Sequence, residues 1–197
     1  MNRLALIVAI DALAGCWGGG KPPDALSNAN HTPAARRTFE MRLDGVGPLG
    51  WKSEATEAAL RIALPELTIK TNDLGAESGI VFDVFDGTEK LMYVVPDEQE
   101  RDETGTHHYD KTIFSIFATS PRISVSGHSW RVGYPLENAN DLMGCECWGE
   151  GEVTACTIRA HLAVIFEENC EVARDAGPQA MVGHKIGRIM WKRVADD

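Results

Sequence analysis

The stretch IVFDVFDGTEKLMYVV, Ile80 to Val95, decides the fold class. Two runs rich in β-branched and aromatic residues, Ile80 to Phe85 and Lys90 to Val95, flank Asp86-Gly87-Thr88-Glu89. Asp-Gly between such runs is the strongest short-range hairpin signal, because a two-residue turn needs backbone that Asp and Gly tolerate. The chain therefore contains an antiparallel pair.

Upstream, Leu67 to Lys70 reads as a short strand. Before it, Ser53 is a plausible N-cap, with Glu54 and Glu57 in the first helical turn, where the helix dipole favours anions. Ala55, Ala59, Ile62 and Ala63 fall at helical spacing, and Leu60 and Leu64 widen the stripe. Pro65 ends that helix. Further back, Phe39, Met41 and Leu43 alternate with charged residues as in a half-buried strand, and Gly45-Val46-Gly47-Pro48 turns the chain.

Downstream, residues 97 to 111 read as a charged loop. Thr112 to Ala118 is a strand, broken at Ser120-Pro121, and Arg122 to Val125 continues extended. A second Gly-containing turn, Val132 to Leu136, precedes a short helix expected from Leu136 to Leu142. Val153 to Ile158 and His161 to Phe166 read as a hairpin, Asn169 to Ala180 as irregular, and Ile186 to Val194 as a last strand. The order strand, Gly-rich turn, helix, strand, hairpin thus occurs twice. The expected class is α+β: antiparallel sheet with one or two short helices, in two similar halves sharing one core.

The N-terminus carries a different signal. A basic start (Asn2, Arg3) leads into seven apolar residues, Leu4 to Ile10, and then Leu13-Ala14-Gly15-Cys16. Seven are too few to span a bilayer, which needs about 20. The order is that of a secretory signal peptide, residues 1–15, whose cut site is a lipobox; Cys16 is then the acylated mature N-terminus. Asp11 inside the apolar region opposes this reading. Residues 16–38, rich in Gly, Pro, Asn and Ala, form a flexible tether, and 39–194 a single domain. Trp17 after the cysteine leans to the outer membrane, facing the periplasm.

The chain of 197 residues has a net charge of −10. Such acidity offers no footprint for nucleic acid and repels anionic headgroups, so membrane contact is expected through the anchor. With Cys16 set aside, Cys145, Cys147, Cys156 and Cys170 remain. An even number in an oxidising compartment implies two disulfides. Cys145 with Cys147 closes too small a ring. Two connectivities survive, of which Cys147–Cys156 across Gly149-Glu150-Gly151, with Cys145–Cys170, is favoured. A four-cysteine zinc site lacks its Cys-x-x-Cys knuckles.

At this point the chain resembles an enterobacterial lipoprotein family. The residues that carry the likeness are Gly45-Val46-Gly47-Pro48, Ala63-Leu64-Pro65-Glu66-Leu67, Lys90-Leu91-Met92, Ile113-Phe114-Ser115-Ile116, Cys147-x-Gly149 to Cys156, and Ile189-Met190-Trp191. The family is the envelope-stress-regulated lipoproteins, domain of unknown function 1131. The likeness covers the lipobox and most of residues 43–193. The pair Cys145 and Cys170 departs from that pattern, and Gly177-Pro178 echoes it only in part. The resemblance implies a lipid-anchored envelope protein and supplies no active site.

Candidate chemistry is sparse. His107-His108, in an acidic loop, suits a transition metal, although adjacent loop residues rarely converge on one ion. Ser129, His161 and Asp141 make a triad on paper, without a nucleophile elbow to position the serine. The acidic runs lack calcium-loop order. Trp148, inside the stapled turn, is the candidate interaction surface, against the alternative that it packs on its own disulfide. No cofactor, and no catalytic residue, is expected. The leading expectation is a non-enzymatic module whose partners are the bilayer, through the anchor, and another envelope protein or a cell-wall component. The alternatives are a periplasmic enzyme with a cryptic site and a metal-binding envelope sensor.

Overall fold

In the computed structural model the Asp86-Gly87 hairpin forms as the sequence requires. Strands β5 (Ile80–Asp86) and β6 (Glu89–Arg101) pair antiparallel, with Phe82 opposite Val94 and Val84 opposite Met92. Gly87 takes φ +61°, which a side chain resists. The structure describes residues 36–75, 79–101, 107–148, 153–167, 170 and 176–194, and of 98–101 and 107–110 the backbone only. The compact unit runs Arg36–Asp197.

The hairpin is the middle of a meander. Strand β4 (Thr68–Asp73) flanks β5, and β7 (His107–Ala118) flanks β6. Backbone pairing continues through Glu98↔Tyr109 and Arg101↔His107, so most of the expected charged loop is strand. Ladder hydrogen bonds extend a hairpin whatever the side chains' polarity. A second meander consists of β9 (Gly144–Trp148), β10 (Val153–Arg159), β11 (Leu162–Phe166) and β12 (Arg188–Lys192). β7 and β12 pair antiparallel, Ile116 opposite Trp191, which merges the meanders into one eight-stranded sheet. Its order, β4-β5-β6-β7-β12-β11-β10-β9, is palindromic. The two halves run inward from opposite edges and meet at their last strands.

A smaller sheet has the order β3-β2-β1-β8, from β1 (Phe39–Arg42), β2 (Gly45–Val46), β3 (Leu49–Gly50) and β8 (Ile123–Val125). β1 and β8, the opening strands of the two halves, pair in parallel, Met41 beside Val125. Gly45 has no substitute, because a Cβ there would strike the Leu49 carbonyl oxygen. Met41, Leu60, Val84, Met92, Ile116, Val164, Phe166 and Trp191, drawn from both halves, lie in one buried cluster. The fold is α+β, with one large core cluster drawn from both halves and a small second cluster about Ala155, Ala163, Ile165 and Met190, stapled by two disulfides.

Helix α1 (Glu57–Ala63) starts later than expected. Thr56, not Ser53, caps it, accepting from the Ala59 N–H at 3.2 Å. The chain before it is tied to β7: Glu54 bridges Thr112, and the Ala55 N–H donates to the Lys111 carbonyl at 2.5 Å. Ala55, Leu60 and Leu64 are the buried residues of the stripe, whereas Ile62 is 82% exposed. The second helix, expected over 136–142, does not form. The Leu136 N–H donates to the His184 carbonyl and Pro135 bridges Lys185, so this backbone is committed to a neighbour before a helix can start. Leu136, Ala139 and Leu142 are buried nonetheless. A 3-10 turn, Pro178–Met181, interrupts the irregular segment before β12. Among the described residues no helix is long and apolar enough to cross a membrane.

Candidate functional site

The cysteines pair differently from the favoured connectivity: Cys145 with Cys156, and Cys147 with Cys170. Register is the reason. Trp148 lies opposite Val153, which places Cys147 opposite Thr154 and Cys145 directly opposite Cys156, with Cα atoms 4.0 Å apart. Cys147, two residues along the same face, is left to reach Cys170. Alternation also sends Trp148 to the other face of β9 from both cysteines, so it does not pack on its own disulfide. It is half-buried, packs against the small cluster Ala155, Ala163, Ile165 and Met190, and its indole N–H donates to Glu146 at 2.8 Å. Cys16 and the tether lie outside the described residues, as do the side chains of His107 and His108. Among the described residues no three His, Cys, Asp or Glu groups could hold a metal.

The paper triad disperses. Ser129 Oγ donates to Glu137 at 3.0 Å, and His161 Nδ1 lies 3.1 Å from the Lys192 carbonyl. Asp141 instead faces His128, its Oδ2 3.6 Å from Nδ1. The His128 ring stacks on buried Trp130, centroids 4.1 Å apart. His128 and Asp141 line a cavity of about 600 Å³ at the carboxyl ends of β1 and β8. The ends of the two parallel strands supply Arg42 and Asp44 from one half and Ser126 and His128 from the other. The β10–β11 turn adds Ile158, Arg159 and Leu162. Arg42 is engaged, donating to Asp44 at 3.2 Å. Two guanidinium groups, two carboxylates and an imidazole over an aliphatic floor suit a polar ligand with an apolar part. Among the described residues no hydroxyl or thiol is hydrogen-bonded to His128. The pair therefore has no activated nucleophile attached among the described residues.

A smaller cleft of about 260 Å³ is lined by Trp51, Lys52, Arg193 and Val194. Trp51 meets His161 edge to face at 4.9 Å and lies 6.3 Å from Trp191. Local sequence holds no signal for either site. Arg42, His128, Asp141 and Arg159 sit in no motif, and Trp51 and Arg193 come from opposite ends of the domain.

On the outer face of the large sheet, Tyr93 stacks on Phe117 at 4.7 Å and accepts from Arg188 at 3.1 Å. Burial raises the Tyr93 pKa above the ordinary phenol value, against the opposing pull of Arg188. Glu167 pairs with Arg188 at 2.7 Å. These groups are paired with one another, although Arg188 Nε meets Glu167 at ion-pair distance without hydrogen-bond geometry, and they read as sheet support.

The chain is similar in fold to the crystal structure of the uncharacterized protein yfeY from Escherichia coli. The identity is 19% and the TM-score 0.54, over 78% of this chain and 99% of that one. At that identity the likeness shows the fold alone. No family model and no curated protein matches the chain.

Proposed function

We propose that this chain is a lipid-anchored bacterial envelope protein, exported through a signal peptide of residues 1–15 and acylated at Cys16. The domain 39–194, on a tether of 16–38, binds another envelope component without catalysing a reaction. The outer membrane, facing the periplasm, is the location Trp17 favours. The observation that carries this reading is Leu13-Ala14-Gly15-Cys16 ahead of a domain whose four remaining cysteines are all in disulfides. Such bridges persist in oxidising compartments. The resemblance to the envelope-stress-regulated lipoproteins supports it as well. To the cavity at the carboxyl ends of β1 and β8 we assign a small envelope ligand, such as a cell-wall fragment.

Cys16→Ser is the test. Without the sulfur no thioether to lipid forms, and the variant should leave the membrane fraction after a high-salt wash. A variant that stays there through the wash overturns the anchor. A second reading, a periplasmic enzyme, is favoured by the His128–Asp141 pair in the cavity. If His128→Ala abolished turnover of a cavity ligand while leaving its binding intact, the enzyme would replace the binding module.

A further inference from the structure

We infer that the face bearing Trp51, Phe114, Lys52, Lys192 and Arg193 is where the domain lies on the anionic headgroup surface of its bilayer. This rests on the anchored reading. The residues form one continuous patch. Trp51, Lys52, Arg193 and Val194 line the small cleft. The Lys192 ammonium sits 5.2 Å over the Phe114 ring, and the Arg193 N–H donates to the Phe114 carbonyl. His161 joins the two sides, touching Trp51 with its ring and the Lys192 carbonyl through Nδ1. Trp51, Phe114 and Val194 are each more than a third exposed, at 37%, 37% and 39%. Exposed Lys111 stands at the edge, next to Thr112, to which Arg193 donates at 2.9 Å.

Four cations, Lys52, Lys111, Lys192 and Arg193, face two carboxylates. Asp97 is 3.9 Å from Arg193, and the backbone of Glu54 pairs with that of Thr112. Among the described residues the patch thus holds four cations against two acidic residues, on a chain of net −10. A domain of uniform acidity would be held off an anionic surface; this patch gives it cations to meet one. Exposed apolar groups interleaved with lysines are what a headgroup region accepts. Aromatic rings settle at its apolar boundary while lysine stems lie along them and the ammonium groups reach phosphate. Each cation at such a surface strengthens attachment roughly fivefold. A chain anchored at Cys16 meets the surface at high effective concentration, so a weak face suffices to orient it.

The test uses the full chain as Cys16→Ser, so that no acyl group contributes, with vesicles of phosphatidylcholine alone or with phosphatidylglycerol added. The apolar leader is common to every variant and cancels. Sedimentation should show extra binding to the anionic vesicles, abolished by about 0.5 M salt. The charge reversal Lys52→Glu with Lys192→Glu, both exposed, should lower that partition at least about tenfold with unchanged dichroism. Equal partition on the two vesicle types, or equal partition of parent and charge-reversed chain, overturns the inference. So does capture by soluble dextran sulfate with no vesicle binding, which would make the patch a polyanion site. Labelling of the natural chain with radioactive palmitate reports separately on Cys16. An unlabelled chain that still prefers anionic vesicles removes the anchor and keeps the face.

Discussion

Strands β4 and β9 occupy equivalent places in the two halves, and both are edges of the eight-stranded sheet. They are protected by different means. An edge presents unpaired backbone groups and must be covered or pinned. β4 is backed by helix α1: Arg61 donates to the Ile69 carbonyl at 3.1 Å, and Thr71 donates to Glu57 at 2.8 Å. The second half lacks that helix, and β9 is instead held by Cys145–Cys156 and Cys147–Cys170. Where a helix cannot form, covalent staples do its work. The first half depends on charge and packing at its rim, the second on oxidation.

The comparison breaks first if the halves are separable. Trp191 belongs to β12, is fully buried, and donates its indole N–H to the Leu43 carbonyl of the first half at 2.9 Å. Trp191→Ala should cost about 3–5 kcal/mol and lower a single melting transition seen alike by far-UV and near-UV dichroism. Two separated transitions would mean two independent units.

The staples come next. The Cys145–Cys156 loop spans 11 residues and the Cys147–Cys170 loop 23. Chain-entropy arguments put their contributions at about 2.8 and 3.4 kcal/mol, so paired alanine replacement of the longer one should destabilise slightly more. Denaturant titration measures this. A non-reducing digest linking Cys147 to Cys156 would reject the register of β9 itself.

In the first half, Arg122 ties the hairpin turn to the start of β8. It donates to Asp86 at 2.6 Å, to Glu89 at 3.4 Å, and to the Arg37 carbonyl at 2.7 Å. Its side chain is mostly buried, but its acidic partners are about one-third exposed, so water softens the loss. Arg122→Ala should cost about 1–2 kcal/mol in the same titration. A larger loss than either disulfide gives would invert the comparison.

The smallest effect is in pH. The Ser120 hydroxyl, donating at 2.5 Å, and then Arg122 hold the Glu89 carboxyl below its ordinary 4.5. Arg61 and then Thr71 do the same for Glu57. A lowered folded pKa contributes stability that is present above the unfolded value and lost as pH falls through the folded one. Melting temperature should therefore drop below about pH 4.5, and Glu89→Gln should flatten that limb. The disulfides do not titrate, so their removal should shift the whole curve without changing its slope.

The hairpin at Asp86-Gly87, the alternation of Phe39, Met41 and Leu43, the end of α1 before Pro65, and the recurrence of strands and hairpins without the expected second helix were legible, because each is dictated within a few residues by turn geometry or periodicity. What required the folded chain was register and competition. One extra pair of residues in the β9–β10 turn would have placed Cys147 opposite Cys156; the ladder set by Trp148 and Val153 decides otherwise. Leu136 to Leu142 has helical spacing of buried residues, yet the Leu136 N–H donates to the His184 carbonyl and its own carbonyl accepts from Gly183. The sites are further from legible still. His128 meets Asp141, and Trp51 meets Arg193, only because two meanders join at β7 and β12 and two opening strands run parallel. By itself the sequence determined the α+β class, the antiparallel hairpins and the even set of cysteines. The tertiary structure alone decided which cysteines bond and which charged side chains share a cavity, because long-range pairing depends on registers that no local preference encodes.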